Sequence, residues 1–242
     1  MKNYRTLKHR LKRNWSWPPL AFVIALGALA ISTTCIAVAQ KATSIPEEIE
    51  WTWEVRPPHP DVRLPNVLLL GDSITRNYFP QVTKDLQGVA NVYLMASSTS
   101  VGDPRLPRQI SEFTKLENVD FRVVHFNNGM HGWEYTEQQY RASFPALLKS
   151  VRSIVNKNSG LIWTNITPVK VDATTGATNP RIEARNKIAA DMIRGSQITL
   201  DDQHSLMMKH LDLYEDSVHF NAAGANIMGD QAAATIRRAL SR

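Results

Sequence analysis

The chain has almost no cysteine. Cys35 is the only one among its 242 residues, and it lies within an apolar stretch near the N-terminus. A single cysteine forms no intramolecular disulfide and no site with several thiolate ligands. The sequence therefore excludes a disulfide-stapled fold and a cysteine-based metal centre, and we expect neither a metal nor another cofactor.

Acidic residues are absent before Glu47, whereas basic residues are frequent there. Six of them precede the apolar stretch: Lys2, Arg5, Lys8, Arg10, Lys12 and Arg13. Without these six, lysine and arginine equal aspartate and glutamate in number, so the net charge of +6 belongs to the N-terminus. A nucleic-acid-binding surface needs a basic cluster on the folded part. We therefore expect no nucleic-acid partner.

Residues 20–39 contain no charged side chain and are mostly apolar. A basic flank followed by such a stretch is typical of an export signal or a membrane anchor. Ala37-Val38-Ala39 before Gln40 fits a cleavage site, but about 20 apolar residues are also enough to span a bilayer. We favour an anchor over residues 1–40, with the domain facing the periplasm or cell exterior. Cleavage near Ala39 would instead give a secreted protein.

Residues 41–65 have the composition of a linker. Five prolines interrupt any helix there: Pro46, Pro57, Pro58, Pro60 and Pro65. Trp51 and Trp53 alternate with polar residues, which favours a short edge strand or a strap over the core. Packing explains the two indoles better than carbohydrate stacking does, although both roles suit them.

Residues 66–242 alternate strand-like and helix-like segments. Strands are predicted at 66–70, 91–95, 121–126, 161–165 and 198–200, and helices at 78–86, 106–116, 136–155, 182–193 and 222–240. This rhythm predicts one α/β domain with three α/β/α layers and a central parallel sheet of about five strands. No G-x-G-x-x-G motif follows the first strand and no Walker A lysine is present, which argues against a dinucleotide or P-loop site.

The first predicted strand runs directly into Gly71, Asp72 and Ser73. Its apolar residues do not alternate with polar ones, which indicates a strand buried on both faces of a parallel sheet. Ligands of open α/β sheets bind outside the carboxyl ends of the strands, where Ser73 lies. Ser73 is therefore either a nucleophile or the N-cap of the next helix.

Asp216 and His219 stand just before the last predicted helix. A serine nucleophile needs a base to take its proton and a carboxylate to orient that base. Aspartate and histidine three residues apart on a tight turn can bond to each other, and a doubly wound sheet can bring both to Ser73. We predict a triad of Ser73, His219 and Asp216.

Together these motifs resemble the GDSL/SGNH hydrolase superfamily. Gly71-Asp72-Ser73-Ile74 is similar to the first block of that superfamily, and Asp216 with His219 to its last, Asp-x-x-His. The resemblance extends over about residues 66–240. It implies a flavodoxin-like three-layer fold and metal-free ester hydrolysis by a Ser-His-Asp triad.

The resemblance also implies an oxyanion hole that includes the backbone N–H of Ser73. The second block of the superfamily contributes a glycine N–H, but an ungapped alignment puts Thr99 there. A short insertion brings in Gly102, which we prefer, with Ser100 as a less certain alternative.

The third block is Gly-x-Asn-Asp in most relatives, whereas this chain has Asn127 and Asn128 before Gly129. Relatives with Phe-Asn-x-Gly in this block favour Asn127 as the amide donor to the oxyanion. Asn128 is the alternative, since one of the pair can serve to form the turn.

Two further side chains follow this block, His131 and Trp133, and both are candidate substrate contacts. Trp133 would either stack on a sugar ring or pack against the pocket. His125, inside a strand, is predicted to be a core histidine with satisfied hydrogen bonds. Asp201 and its neighbours after the fifth strand are interpreted as structural.

The sequence thus predicts an exported serine esterase that hydrolyses small acyl esters, O-acetyl groups on carbohydrate being favoured. Three alternatives remain: a polysaccharide O-acyltransferase with the same triad, a lipase or thioesterase of this type, and a non-catalytic envelope binding protein. The absence of Gly-x-Ser-x-Gly argues against an ordinary α/β-hydrolase.

Overall fold

A computed structural model describes residues 43–170 and 176–242. The predicted anchor or signal segment, residues 1–40 with Cys35, lies outside these residues. Across the two described ranges, no helix combines the length and apolar character needed to cross a bilayer.

The described elements alternate strands and helices. The strands are β1 (Thr52–Val55), β2 (Asn66–Gly71), β3 (Asn91–Ser97), β4 (Phe121–Phe126), β5 (Val155–Thr164) and β6 (Ile198–Asp201). The helices are α1 (Ser73–Asp85), α2 (Leu106–Glu117), α3 (Glu137–Ser153), α4 (Asn179–Ile193), α5 (Gln203–Met207) and α6 (Ala222–Leu240), with a 3₁₀ turn at Leu211–Leu213.

The six strands form one sheet in the order β1-β3-β2-β4-β5-β6. The five predicted strands are parallel to one another wherever they pair. The sixth, β1, pairs antiparallel with β3 and forms one edge of the sheet. It comes from the segment with Trp51 and Trp53, where a short edge strand was one of the two expectations, so the sheet has six strands, close to the expected number of about five. The three-layer α/β/α fold is confirmed.

Successive side chains of β2 point to opposite faces of the sheet, and a layer of helices covers each face. Val67 and Leu69 belong to the apolar cluster under α1 and α6, whereas Leu68 and Leu70 belong to the cluster under α2, α3 and α4. All four side chains are nearly inaccessible to solvent. Complete burial of one such side chain stabilises the fold by about 1.5–3 kcal/mol, which is why the run has no polar residue.

Two predicted element boundaries differ from the structure by five residues or more. Helix α1 begins at Ser73 rather than at residue 78, because the side chain of Asp72 caps its first turn. Strand β5 begins at Val155 rather than at residue 161, because Val155 pairs with Phe121 before the register shifts. Neither change moves the carboxyl ends of the strands, where the candidate site residues lie.

A buried polar cluster lies beneath that edge of the sheet. His125 Nε2 is 2.8 Å from Asp201 Oδ2 and 2.7 Å from Thr164 Oγ1, and His125 is fully buried. Gln203 and Gln231 donate to the two carboxylate oxygens of Asp201. His125 is therefore a core histidine as predicted, although its Nδ1 has no partner within the described residues.

The carboxylate of Asp201 is stabilised in its charged form. Burial raises its pKa, but the hydrogen bond and charge of His125, with the two glutamine amides, hold the pKa of Asp201 below its ordinary value. A carboxyl group whose pKa is depressed by folding stabilises the protein above its unfolded pKa. That stabilisation is lost as the pH falls through the lower folded value.

We expect Asp201→Asn to lower the free energy of unfolding by about 1.5–3 kcal/mol near neutral pH, because a buried charge-assisted hydrogen bond is lost. The deficit should shrink as the pH falls below about 4, because Asp201 then takes up a proton in the unfolded chain before it does so in the folded protein. Urea unfolding at several pH values measures both effects. Asp191→Asn, which removes a surface partner of Arg194, is the control and should cost at most about 1 kcal/mol. A deficit that stays constant down to pH 3 would contradict this account.

Candidate active site

Ser73, His219 and Asp216 form one continuous line of hydrogen bonds. Ser73 Oγ is 2.6 Å from His219 Nε2, although the two residues are 146 positions apart. His219 Nδ1 is 2.7 Å from Asp216 Oδ2. The structure thus brings together all three residues of the predicted triad, in the order that serine activation requires.

The turn before α1 leaves the Ser73 hydroxyl available. Asp72, not Ser73, is the N-cap of α1, because its Oδ1 accepts the N–H of Ile74 at 3.0 Å. Ser73 is therefore not the N-cap of α1, and its hydroxyl group is hydrogen-bonded to His219 instead. Gly71 allows the tight approach, since a Cβ atom there would lie 2.0 Å from Thr75 Oγ1.

A second turn fixes the acid and the base. Asp216 Oδ1 accepts the backbone N–H groups of Val218 at 2.8 Å and His219 at 2.7 Å. Burial raises the pKa of Asp216, but these two N–H groups and the His219 ring outweigh it and lower the pKa below its ordinary value. Asp216 is therefore an ionised carboxylate that orients the imidazole.

Asn127 and Asn128 have different partners. Asn127 donates from Nδ2 to the Thr164 carbonyl at 2.7 Å. An amide nitrogen carries two hydrogens, so one N–H of Asn127 remains for another acceptor. Asn128 uses both ends of its amide on the loop after β3, accepting from Val101 N–H at 2.7 Å and donating to the Thr99 carbonyl at 2.9 Å.

The loop after β3 has one backbone donor with no acceptor. The N–H groups of five of its residues are bonded within the described chain: Ser98, Thr99, Val101, Gly102 and Asp103. No acceptor for the Ser100 N–H lies within that part of the chain, and Ser100 is buried.

Gly102, the preferred oxyanion donor from sequence, does not fit that role in this geometry. Its N–H donates to Ser100 Oγ at 3.2 Å. Its missing side chain makes room for Tyr135, because a Cβ atom would lie 2.6 Å from that ring. The geometry therefore favours the alternative, Ser100.

Trp133 lies inside the third loop rather than in an open cleft. It is only 8% exposed, and its indole N–H donates to the Met130 carbonyl at 2.7 Å. The guanidinium carbons of Arg185 and Arg181 lie 3.9 and 4.9 Å from its ring centroid. Of the two roles expected for Trp133, the structure therefore favours packing over stacking on a substrate sugar.

His131 is held by a segment that precedes β1. Its Nδ1 lies 2.9 Å from Glu47 Oε2. The other carboxylate oxygen, Glu47 Oε1, accepts the Gly132 N–H. Burial lowers the pKa of His131, but Glu47, with the charges of Asp72 and Glu50, outweighs it and raises the pKa above its ordinary value.

Glu47 belongs to residues 44–51, which we call the N-terminal strap. Ser44 donates to Asp103 at 2.5 Å, and the Ile45 N–H donates to the Tyr135 hydroxyl at 2.7 Å. Glu50 bonds to Arg105 and to Ser98. The strap thus joins the loops after β3 and β4, whereas the sequence predicted only a strap over the core or a short edge strand in residues 41–65.

Arg185 is the main site residue that sequence reasoning missed. It is fully buried, and its guanidinium donates to four carbonyls of the third loop: Gly129, His131, Gly132 and Tyr135. Burial lowers the pKa of Arg185 to about 10, so it stays charged at neutral pH. Its position between Ile182 and Ile188 on the apolar face of α4 was the available signal.

Neither cavity size nor metal ligands single out this site. Cavities of about 670 and 560 Å³ open at the opposite edge of the sheet, around the starts of β5 and β6. Across residues 43–170 and 176–242, no group of three or more histidine, cysteine or acidic side chains is arranged to hold a metal ion.

No model of a known protein family matches the chain, and no curated protein does. Solved structures do. A lipolytic protein of the G-D-S-L family from Veillonella parvula is 15% identical, with a TM-score of 0.58 over 72% of this chain and 98% of that one.

Two further solved structures are similar to the chain. The catalytic domain of a peptidoglycan O-acetyltransferase from Streptococcus pneumoniae is 19% identical, with a TM-score of 0.53 over 74% of this chain and 96% of that one. A catalytic mutant of an acetylxylan esterase from Geobacillus stearothermophilus is 16% identical, with a TM-score of 0.56 over 74% of this chain and 94% of that one. The chain therefore has the fold of the GDSL/SGNH hydrolases.

Proposed function

We propose that the protein is a serine esterase that removes small acyl groups, above all O-acetyl groups, from carbohydrate. The observation that carries the proposal is the line of hydrogen bonds from Ser73 through His219 to Asp216. In that order a base stands ready to take the serine proton, and a carboxylate holds the base in one orientation.

The reaction follows from these contacts. Ser73 Oγ attacks the acyl carbonyl while His219 Nε2 takes its proton. His219 then gives that proton to the departing alcohol oxygen, leaving an acyl-serine. A water molecule, deprotonated by His219, attacks the acyl-serine, and His219 returns that proton to Ser73 Oγ as the carboxylic acid leaves. Asp216 orients His219 and stabilises its charged form throughout.

We assign the oxyanion hole to three N–H groups. They are the backbone N–H of Ser73, the backbone N–H of Ser100 and the second amide N–H of Asn127. The first two have no acceptor in the described chain, and the third remains after the bond to Thr164. Asn128 supports the hole indirectly, because it joins the loop that carries Ser100 to the third loop.

The substrate class rests on the similar structures. One is named an acetylxylan esterase and another a peptidoglycan O-acetyltransferase, so both names refer to acetyl groups on carbohydrate. The second supports an alternative for this chain, transfer of an acetyl group to a sugar hydroxyl in place of water. Export by the N-terminal segment, uncleaved or cleaved, would place the domain where such polysaccharides lie.

The first test compares nitrophenyl esters of increasing chain length. We expect the full chain to hydrolyse the acetate faster than the butyrate and octanoate. Ser73→Ala should lower kcat by on the order of 10⁴- to 10⁶-fold, because the nucleophile is removed. Ser150→Ala, on the surface of α3, is the matched control and should behave as wild type.

A wild-type protein inactive on every ester would refute the esterase proposal, and activity retained in Ser73→Ala would refute the mechanism. Preference for the octanoate would indicate a lipase or thioesterase. Acetyl transfer to an added xylo-oligosaccharide or peptidoglycan fragment, faster than hydrolysis, would establish the transferase alternative.

The second test separates the two asparagines. Asn127→Ala should lower kcat by about 10²–10³-fold with little change in KM, because one donor to the transition-state oxyanion is lost. Asn128→Ala should instead lower the melting temperature as well as kcat, since two buried hydrogen bonds that hold a loop disappear.

Asn66→Ala is the matched control for both variants. Asn66 is also hydrogen-bonded, but it lies at the opposite end of β2 from Ser73. The kcat of the Asn66→Ala variant should stay near the wild-type value. A loss in Asn127→Ala that appears entirely in KM would contradict the oxyanion role of Asn127.

A further inference from the structure

An exposed aromatic and cationic surface lies beside the nucleophile. Arg76 is on α1, three residues after Ser73, so both side chains occupy the same side of the helix. Its guanidinium carbon lies 5.0 Å from the ring centroid of Trp53 and 5.6 Å from that of Trp51. We call these three residues the Trp-Arg surface.

The sheet register gives the position of this surface relative to Ser73. Trp53 on β1 pairs with Ala96 on β3, and Ala96 pairs on its other side with Gly71 on β2. Neighbouring strands are about 4.8 Å apart, so Trp53 lies roughly 10 Å from Gly71 across the sheet. That distance is comparable to the length of one or two sugar rings.

Trp53 is unusually open for a tryptophan in a strand. It is 50% exposed, whereas Trp51 is partly buried and contacts the ring of His131 at 5.7 Å. A flat, half-exposed indole next to a catalytic serine offers an apolar face to a ligand. Packing accounts for Trp51 but leaves half of Trp53 open to solvent.

Arg76 has no anionic partner in the described part of the chain. Its contacts there are with the two indole rings, which meet the guanidinium without accepting its N–H groups in hydrogen bonds. Two acids of the strap are engaged elsewhere, Glu47 with His131 and Glu50 with Arg105. The five N–H donors of Arg76 thus remain for a planar anion, which a guanidinium binds in bidentate fashion.

We propose that the Trp-Arg surface is a subsite for an acidic sugar of an acetylated polysaccharide. Trp53 stacks on the sugar ring, and Arg76 pairs with the carboxylate of that sugar or of its neighbour. The acetylated sugar then reaches Ser73. The proposal rests on the proposed function for the acetyl ester, but the subsite itself is defined by binding without turnover.

The test uses a matched pair of probes and the inactive full chain, Ser73→Ala. The probes are chemically O-acetylated oligogalacturonate and the same oligosaccharide with its carboxylates converted to methyl esters. Isothermal titration calorimetry gives the affinity for each. We expect the acidic form to bind more tightly, because only it offers a carboxylate to Arg76.

Substitutions in that background identify the residue responsible. Arg76→Gln should reduce the ratio of acidic to methyl-ester affinity roughly tenfold or more, the usual effect of losing one charge-assisted hydrogen bond. Trp53→Ala should weaken both forms and preserve the ratio. Lys84→Gln removes one positive charge from the far end of α1 and should leave the ratio unchanged.

An unchanged ratio in Arg76→Gln would overturn the proposal, and so would an equal fall in Lys84→Gln, which would indicate a general charge effect. If Arg76→Gln folds poorly, Arg76→Lys replaces it in the test. This variant keeps the charge without the planar fork and should retain only part of the preference for the acidic probe. Nitrophenyl acetate hydrolysis by the wild-type chain is measured separately. An inactive wild type with the expected binding ratio would refute the esterase and leave the subsite standing.

Discussion

The hydrogen bond between Ser73 and His219 depends on the close packing of α1 against α6. Ser73 begins α1, and His219 precedes α6, so the distance between these helices sets the distance between nucleophile and base. Gly229 permits that approach, because a Cβ atom there would lie 2.5 Å from Gln81 Cβ. The apolar sheet face of Val67 and Leu69 supports both helices from below. The chemistry is therefore positioned by the core rather than by flexible loops.

The loops at the same edge are held by polar groups that the solvent does not reach. Arg185 gathers four carbonyls of the third loop, and Asn128 joins that loop to the one after β3. A charge is costly to bury unless its donors are satisfied, and here loop carbonyls satisfy most of them. Loop backbone that lacks regular secondary structure thereby acquires fixed partners. An oxyanion hole needs such rigidity, since its donors act only when they are already oriented.

The sequence was informative where a signal is local. An uninterrupted apolar run marked β2, and short motifs at the two ends of the domain pointed to Ser73, Asp216 and His219, which the structure brings together. It was less informative where the outcome depends on distant partners. The space that Gly102 leaves is filled by the ring of Tyr135, and Trp133 packs against two arginines of α4, contacts that the spacing of residues in the chain does not record. Arg185 was missed because charged residues are expected on the solvent side of a helix.

The short edge strands of the sheet affect how readily two copies of the domain can pair with each other. The two edge strands, β1 and β6, have four residues each, whereas the four inner strands have six to ten. An edge strand exposes unpaired backbone groups onto which another chain can add, and a short edge offers few of them. Most of the hydrogen-bonding capacity of this sheet is thus enclosed between its own strands. Short edges of this kind limit edge-to-edge pairing between copies of the domain.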